Sequence, residues 1–206
     1  ELFVKFLNNL KISEEKCVEF ELITRGQKKN RTWKEQKKGR ITSSSFGHIF
    51  VRKDMIPSDN LVKQVMGYNK KIQNSHTCCV HPNTSLKDCG LIINPSYTYL
   101  DACPDGLVDI PNFPNGSGLL EIKCPSSDKW KCLFPYECRK DSAFFCSVKV
   151  VLKEHHSYFY QLQGQMALTG KKWCDFVVCT LKHPLSVERI YFDVVNNGGK
   201  TENILS

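Results

Sequence analysis

The feature that most constrains the fold of this 206-residue chain is a turn between two strand-like segments. Residues 111–118 have the sequence Pro-Asn-Phe-Pro-Asn-Gly-Ser-Gly, whose prolines, asparagines and glycines only a turn accommodates. The segment before it, 102–110, and the segment after it, 119–124, both have the apolar pattern of strands. The sequence therefore predicts a β-hairpin.

Helices and further strands are predicted on both sides of this hairpin. Residues 14–38 have a mainly helical pattern with Ser13 as the expected N-cap, and residues 158–169 form another helix that ends at Gly170. Short apolar runs predict strands at 91–93, 175–181 and 188–195. This order of elements predicts an α/β sandwich with a mixed sheet.

Composition limits the class of protein. Apolar residues make up 41% of the chain and charged residues 24%, which is typical of globular domains. The longest apolar runs have the length of strands, which excludes a membrane-spanning helix. We expect one domain over residues 1–206, and the absence of an initiator Met is compatible with a fragment of a longer protein.

Eleven cysteines occur in the chain, an odd number without regular spacing. Secreted disulfide-rich scaffolds usually have an even number of cysteines and a small apolar core. The expectation is therefore reduced cysteines and an intracellular location, with nucleus and cytoplasm not distinguished.

Positive charge is concentrated in one segment. The net charge is +8, and residues 25–40 contain eight basic side chains against one acidic side chain, Glu35. The basic residues are Arg25, Lys28, Lys29, Arg31, Lys34, Lys37, Lys38 and Arg40. Such a segment attracts polyanions, of which phosphate backbones are the commonest. A solvated helix face and a nuclear localisation signal are equally good interpretations of the charge alone.

Acidic and basic side chains converge on the predicted hairpin. Glu121 and Lys123 are two residues apart on one strand, so their side chains share a face. Asp105 lies on the partner strand beside a Pro-Asp-Gly bend, from which its carboxylate can reach the same face. Two carboxylates and the main-chain carbonyl of Ile122 are the hard oxygen ligands that Mg²⁺ takes. The other interpretation is an ordinary solvent-facing strand.

These residues belong to a longer series of motifs. The series is Trp33, Gly39-Arg40-Ile41-Thr42-Ser43-Ser44, Gly90-Leu91-Ile92-Ile93-Asn94-Pro95, Cys103-Pro104-Asp105-Gly106, Gly118-Leu119-Leu120-Glu121-Ile122-Lys123-Cys124-Pro125 and Tyr160-Gln161-Leu162-Gln163-Gly164-Gln165. In this order the motifs resemble the PD-(D/E)xK nuclease superfamily and, within it, the YqaJ-like viral recombinase family related to phage lambda exonuclease. The resemblance covers about residues 19–195 and implies an α/β fold with a restriction-endonuclease-like core, a mixed β-sheet flanked by helices.

The resemblance implies a metal-dependent exonuclease that acts on duplex DNA ends in recombination. Asp105 and Glu121, with the carbonyl of Ile122, would bind Mg²⁺ or Mn²⁺, and Lys123 would act on the attacking water. Gln161, on the helix after the hairpin, would support Lys123 or the water. The alternatives are a DNA-binding module derived from such a nuclease, with weak or lost catalysis, and a purely structural role in a larger protein.

The resemblance also implies DNA contacts for the basic segment. Lys37 falls where the family often has an arginine near the 5′ phosphate, and Ser44 falls where the family has a hydroxyl. Arg25 and Arg40 are further candidates for backbone contacts, which position DNA without reading its sequence. A homo-oligomer is compatible with the resemblance, because the lambda relative forms a ring-shaped trimer.

One feature of the family is missing from the sequence. Members usually carry a helix with a Gly-x-x-x-Glu pattern, whose glutamate completes the metal site, before the motif that begins at Gly90. Residues 69–89 contain no glutamate, and their single carboxylate is Asp88. We therefore expect metal binding to be weakened by about 10–100-fold and cleavage to require raised Mg²⁺ or Mn²⁺.

Overall fold

A computed structural model describes residues 2–50, 84–125, 127–131, 133–138, 140–147, 151–181 and 186–193. Of the segment without the family glutamate, 69–89, residues 69–83 lie outside these ranges. The sequence pattern of residues 61–66 also predicts a short helix, and this segment lies entirely outside them. None of the helices within the ranges is long and apolar enough to cross a membrane. The eight cysteines within them are free thiols.

The elements follow in chain order. The helices are α1 (Leu2–Asn9), α2 (Glu14–Ile23), a 3-10 helix (Gln27–Lys29), α3 (Arg31–Lys37), α4 (Ser43–Phe50), α5 (Asp128–Lys131), α6 (Pro135–Cys138) and α7 (Ser157–Thr169). The strands are β1 (Ile41–Thr42), β2 (Ser85–Lys87), β3 (Ile92–Ile93), β4 (Leu100–Ala102), β5 (Gly106–Asp109), β6 (Ser117–Lys123), β7 (Trp173–Val178) and β8 (Ser186–Tyr191).

Five of these strands form the main sheet, in the order β2-β5-β6-β7-β8. Strands β6 and β7 run parallel, and the other neighbouring pairs are antiparallel. The sheet is therefore mixed, as predicted. Three short strands form a second sheet in the order β1-β4-β3.

The predicted hairpin is formed by β5 and β6, which pair in antiparallel register. In the turn, Asn112 and Asn115 have positive φ angles of 59° and 55°. Asparagine tolerates this left-handed region better than most residues that carry a side chain. The N–H of Ile110 donates to the carbonyl of Gly116 at 2.6 Å and closes the turn.

The strand predicted at 102–110 is divided in two. Strand β4 ends at Ala102 in the second sheet, and β5 begins at Gly106 in the main sheet. Pro104, between them, has no N–H to contribute to a ladder of hydrogen bonds. The prediction of one continuous strand was wrong, and the division places Asp105 at the junction between the two sheets.

The region 14–38 is helical in three pieces. Ser13 caps α2, as predicted, by accepting a hydrogen bond from the N–H of Lys16 at 3.4 Å. Gly26 follows α2 with a φ of 83°, a conformation that favours glycine, and the chain changes direction there. The 3-10 helix and α3 come after this break. The eight basic residues therefore do not share one continuous helix face.

The C-terminal elements have the predicted types with shifted bounds. Helix α7 ends at Gly170, whose φ is 70°. Strand β7 begins two residues before the predicted 175–181, and β8 ends at Tyr191 rather than Val195. The early start of β7 follows from Trp173, which has no exposed surface and donates from its indole Nε1 to the carbonyl of Asn115 at 2.7 Å.

The two faces of β6 pack against different layers. Leu119 lies in an apolar cluster with Leu162 and Met166 of α7. Leu120 lies in another cluster with Trp173, on the opposite face. Because side chains alternate along a strand, Glu121 faces the same side as Leu119, toward α7.

Helices α4 and α7 pack closely where Gly164 meets Phe46. A Cβ atom at position 164 would lie 2.3 Å from Cδ2 of Phe46, which is itself 1% exposed. We expect Gly164→Ala to lower the free energy of unfolding by about 2 kcal/mol, because overpacking exceeds the gain in helix propensity. Urea denaturation measures the change. The same substitution combined with Phe46→Leu should be less harmful, and a stabilising Gly164→Ala would contradict the close contact.

Candidate functional site

The carboxylate of Asp105 is held beside β6 by main-chain hydrogen bonds. The N–H of Asp105 donates to the carbonyl of Leu120 at 2.9 Å, and Oδ2 of Asp105 accepts from the N–H of Ile122 at 2.7 Å. The N–H and C=O of a strand residue point to the same side of the strand. The carbonyl of Ile122 therefore lies on the side of β6 where Asp105 is found.

Glu121 extends from β6 toward α7 and is 4% exposed. Its Oε1 accepts a hydrogen bond from Nε2 of Gln161 at 2.6 Å, and its Oε2 accepts from Nε2 of Gln165 at 2.8 Å. Buried carboxylates require such partners, because leaving a buried charge without hydrogen bonds is strongly unfavourable. The two glutamines therefore fix both oxygens of Glu121.

The ammonium of Lys123 completes this arrangement. Its Nζ donates to Oε1 of Glu121 at 2.5 Å and to Oε1 of Gln161 at 3.1 Å. It also lies 4.6 Å from the centre of the Tyr158 ring, within the range of a cation–π contact. Gln161 thus contacts Lys123 through its oxygen and Glu121 through its nitrogen.

Asp105 has a pKa raised to about 7. Burial is the main cause, and the negative charge of Glu121 is the second. The hydrogen bond from Ile122 and the positive charges of Lys123 and Lys28 oppose the shift. Asp105 and Glu121 are therefore close enough for their like charges to repel each other.

Lys123 has a pKa above its usual value, although burial alone would lower it. The charge and the hydrogen bond of Glu121 outweigh burial, with smaller contributions from Tyr158 and Asp105. Lys123 therefore carries a full positive charge at neutral pH in this arrangement.

The oxygen atoms gathered here fit a divalent hard cation. They are the carboxylates of Asp105 and Glu121 and the carbonyl of Ile122, the set expected from the sequence. A cation placed between the two carboxylates would relieve the repulsion by which the charge of Glu121 raises the pKa of Asp105. Among the described residues, no cluster of three or more His, Cys, Asp or Glu side chains is placed to hold a metal.

A cavity of about 240 Å³ opens beside Lys123. Its walls include Lys123, Cys124, Trp130, Phe145, His156 and Tyr158. The cavity gives solvent and small polar molecules access to the vicinity of the ammonium group.

Lys37, a predicted phosphate contact, is also directed toward this site. Its Nζ lies 4.5 Å from the centre of the Trp33 ring. Burial lowers the pKa of Lys37, but Cys103, Asp101 and Glu121 outweigh burial and leave the pKa above its usual value. The charge of Glu121 contributes least of these, and it is the one site carboxylate within electrostatic reach of Lys37.

The other predicted DNA contacts lie in different environments. Ser44 is exposed in the first turn of α4. Arg25, with 42% of its side chain exposed, forms a two-point ion pair with Glu21 at 2.9 and 3.0 Å.

Arg40 is a component of the folded core. It is 4% exposed, and its guanidinium donates to the carbonyls of Thr98 at 2.8 Å, Leu10 at 3.2 Å and Gln36. These bonds join α1, α3 and the segment before β4. The phosphate contact predicted for Arg40 is therefore not supported, because its guanidinium has partners within the fold and Arg40 has almost no accessible surface to offer DNA.

Two residues at the site were given no role from the sequence. Gln165 follows Gln161 by four residues, and this spacing places both on one helix face, a signal that could have identified it. Lys28 was one of eight basic residues in its segment, and no spacing rule distinguishes it from the others.

Comparisons with known proteins identify a matching family model for part of the chain. Residues 83–172, a span that contains Asp105, Glu121, Lys123 and Gln161, match the YqaJ-like viral recombinase domain. No curated protein sequence matches the chain.

Solved structures share the fold. The alkaline exonuclease LHK-Exo from Laribacter hongkongensis superposes with a TM-score of 0.58 and 22% identity, over 85% of this chain and 89% of that chain. A SOX–DNA complex gives a TM-score of 0.53 and 14% identity over 91% and 68% of the two chains. A KSHV SOX–RNA complex gives a TM-score of 0.53 and 13% identity, over 91% of this chain and 71% of that chain.

The restriction-endonuclease-like fold, a mixed sheet flanked by helices, is confirmed by these neighbours and by the sheet topology. The resemblance predicted from the motifs is confirmed as well, because residues 83–172 of this chain match the YqaJ-like viral recombinase domain.

Proposed function

We propose that this protein is a metal-dependent deoxyribonuclease that digests duplex DNA from its ends, as a recombination exonuclease does. The proposal depends on the convergence of Asp105, Glu121 and Lys123 at one place on β6. Glu121 and Lys123 are bonded to each other and to Gln161 at 2.5 to 3.1 Å. The carboxylate of Asp105 is held beside them by the N–H of Ile122 at 2.7 Å. The family match and the exonuclease and nucleic-acid complexes among the structural neighbours support the proposal.

Asp105, Glu121 and the carbonyl of Ile122 would hold Mg²⁺ or Mn²⁺. When bound, the cation would supply a more acidic water and neutralise charge that develops on the phosphate. The residues of the chain prepare this position in advance, because Gln161 and Gln165 fix the oxygens of Glu121 and the N–H of Ile122 fixes an oxygen of Asp105.

Lys123 contributes a positive charge next to the reacting phosphate. Its Nζ is fixed by Glu121 and Gln161, so little reorganisation is needed when negative charge develops in the transition state. Gln161 acts through two neighbours, since it orients both the ammonium and the carboxylate.

Lys37 and Ser44 are the proposed contacts of the terminal 5′ phosphate. Lys37 approaches the carboxylates, and Ser44 is exposed at the start of α4. A lysine gives a point charge rather than the two-point fork of an arginine, so the grip on the phosphate is weaker than an arginine would provide.

The second candidate is a DNA-binding module with weak or lost catalysis. It is favoured by the ligand count, because residues 69–89 contain no glutamate and Asp105 and Glu121 are the two carboxylates available at the described site. Such a protein would retain Lys37 and Lys123 for phosphate binding.

Digestion of matched duplexes separates these candidates. A linear duplex with one labelled 5′ end, a covalently closed circle of the same sequence and a matched RNA duplex are incubated with Mg²⁺, Mn²⁺ or EDTA. We expect the linear DNA alone to be shortened from its ends, and only with the cations. Binding without shortening would favour the module, cutting of the circle would contradict the exonuclease assignment, and digestion of RNA would contradict the restriction to DNA.

Metal binding should depend on pH through Asp105. Its pKa of about 7 means that protons compete with the cation below neutral pH. We expect the affinity for Mn²⁺ to fall by about tenfold for each pH unit below this pKa, and calorimetric titration measures it. In Asp105→Asn this pH dependence should disappear.

The metal-free protein should show the opposite dependence in its stability. The pKa of Asp105 is higher in the folded than in the unfolded state, so its contribution to stability is full below its unfolded pKa and is lost as the pH rises through about 7. Thermal denaturation in EDTA should detect the loss, and an unchanged profile in Asp105→Asn would contradict the assignment.

A further inference from the structure

The 3-10 helix Gln27–Lys29 is attached to the junction that carries Asp105. Nε2 of Gln27 donates to the carbonyl of Pro104 at 2.7 Å and to the carbonyl of Cys89 at 3.0 Å. Pro104 directly precedes Asp105, and Lys28 directly follows Gln27. These two hydrogen bonds therefore bring the backbone of Lys28 close to the carboxylate site.

The ammonium of Lys28 faces the charges of the site. Asp105 and Glu121 attract it, and Lys37 and Lys123 repel it. The neighbouring protein atoms partly desolvate the ammonium, which is the largest influence on the pKa of Lys28 and leaves it below the usual value. Lys28 and Lys123 therefore both interact with Asp105 and Glu121, and Lys37 interacts with Glu121.

Lys28 differs from the other two lysines in its partners. Lys123 is bonded to Glu121 and Gln161, and Lys37 lies over the Trp33 ring. Lys28 is exposed, and no hydrogen bond or ion pair joins it to any of the described residues. Its ammonium is therefore available to a ligand that enters the site.

A phosphate is the ligand that suits this arrangement. Once a divalent cation has balanced Asp105 and Glu121, Lys28 and Lys123 are left without an anion at the described site, while Lys37 still has Asp101 nearby. A phosphodiester supplies that anion and relieves the repulsion of Lys28 by Lys37 and Lys123.

We propose that Lys28 binds a phosphate of the nucleic-acid strand in the site, in addition to Lys37 and Lys123. The proposal rests on the proposed function, and it makes the 3-10 helix a part of the substrate-binding surface. Gln27 is then a positioning residue, because it fixes the turn from which Lys28 extends.

Fluorescence anisotropy with a labelled duplex and Ca²⁺, a hard cation that takes the same oxygen ligands as Mg²⁺, tests the contact with the two carboxylates neutralised. A gel of the same samples verifies that the duplex stays intact during the measurement. We expect Lys28→Ala to weaken binding by about tenfold at low salt and to reduce the slope of log affinity against log salt by about one unit. Lys29→Ala, a change of the same net charge at the neighbouring exposed lysine, should alter affinity by less than about threefold. Lys28→Arg should restore most of the binding.

Steady-state digestion with Mn²⁺ adds a second readout. If Lys28 binds the phosphate equally strongly in the ground state and the transition state, Lys28→Ala should raise KM and leave kcat unchanged. The proposal for Lys28 would be overturned if Lys28→Ala and Lys29→Ala lost the same affinity for the duplex. It would also be overturned if Lys28→Ala bound the duplex as tightly as the wild type. Neither result would affect the proposed function. A wild-type protein that does not bind nucleic acid would overturn the proposed function as well.

Discussion

Replacing Asp105 by Asn should lower the rate of duplex digestion by about 10⁴-fold, the scale seen when one member of a catalytic unit is removed. Asparagine has the same shape, and its oxygen can still accept the 2.7 Å hydrogen bond from the N–H of Ile122. It lacks the negative charge that attracts a cation. Single-turnover digestion of a labelled linear duplex with Mn²⁺ measures the loss.

Asp109→Asn provides the matched control for this experiment. Asp109 is the last residue of β5, the strand that Asp105 directly precedes, and its carboxylate is paired at the surface with Lys87 at 2.6 Å. This substitution should leave the rate within about twofold of the wild type, because surface ion pairs contribute little. Equal rates for Asp105→Asn and the wild type would show that the cleavage site lies elsewhere.

Replacing Lys123 by Met should lower kcat by about 10²–10³-fold, with a smaller change in KM. Methionine preserves much of the length of the side chain and removes the positive charge that is placed to meet developing negative charge. Steady-state kinetics on the linear duplex separates the two parameters. Lys123→Arg should retain more activity than Lys123→Met, because it keeps the charge.

Folding has to be measured for these variants as well. The side chain of Lys123 is 13% exposed and is paired with Glu121. Without Lys123, the buried charge of Glu121 in the metal-free protein keeps only Gln161 and Gln165 as partners, which can destabilise the fold. Thermal denaturation with Mn²⁺ present identifies a loss of fold. Lys172→Met, which removes another lysine near an aromatic ring, Phe192, at 6.0 Å, is the control. A folded Lys123→Met variant with the kcat of the wild type would contradict the role of Lys123.

The central part of the site could be predicted from the sequence because it depends on strand geometry. Alternation along one strand places Glu121 and Lys123 on the same face, and a hairpin brings Asp105 beside them. Gln161 depended on the family resemblance, since a helical glutamine is ordinarily a surface residue. The structure adds a physical reason for it, which is its pair of hydrogen bonds to Lys123 and Glu121.

Other features could not be predicted, because they depend on tertiary contacts. The sequence around Arg40 shows a basic side chain, and only the fold shows that its guanidinium joins three main-chain carbonyls. The division of the strand before Gly106 follows from the pairing of β4 with β1 and β3, which are each two residues long. Lys28 approaches Asp105 through Gln27, whose partners are 62 and 77 residues away in the chain.

Anomalous diffraction from crystals soaked in Mn²⁺ tests most directly whether Asp105, Glu121 and Ile122 hold the cation at which DNA is cleaved. We predict an anomalous peak at about 2.2 Å from carboxylate oxygens of Asp105 and Glu121 and from the carbonyl oxygen of Ile122, with Nζ of Lys123 close to the bound ion's water or phosphate. The peak should be absent from crystals of Asp105→Asn soaked in the same way. A peak bound to other residues, or no peak in crystals of a protein that digests DNA with Mn²⁺, would contradict the account.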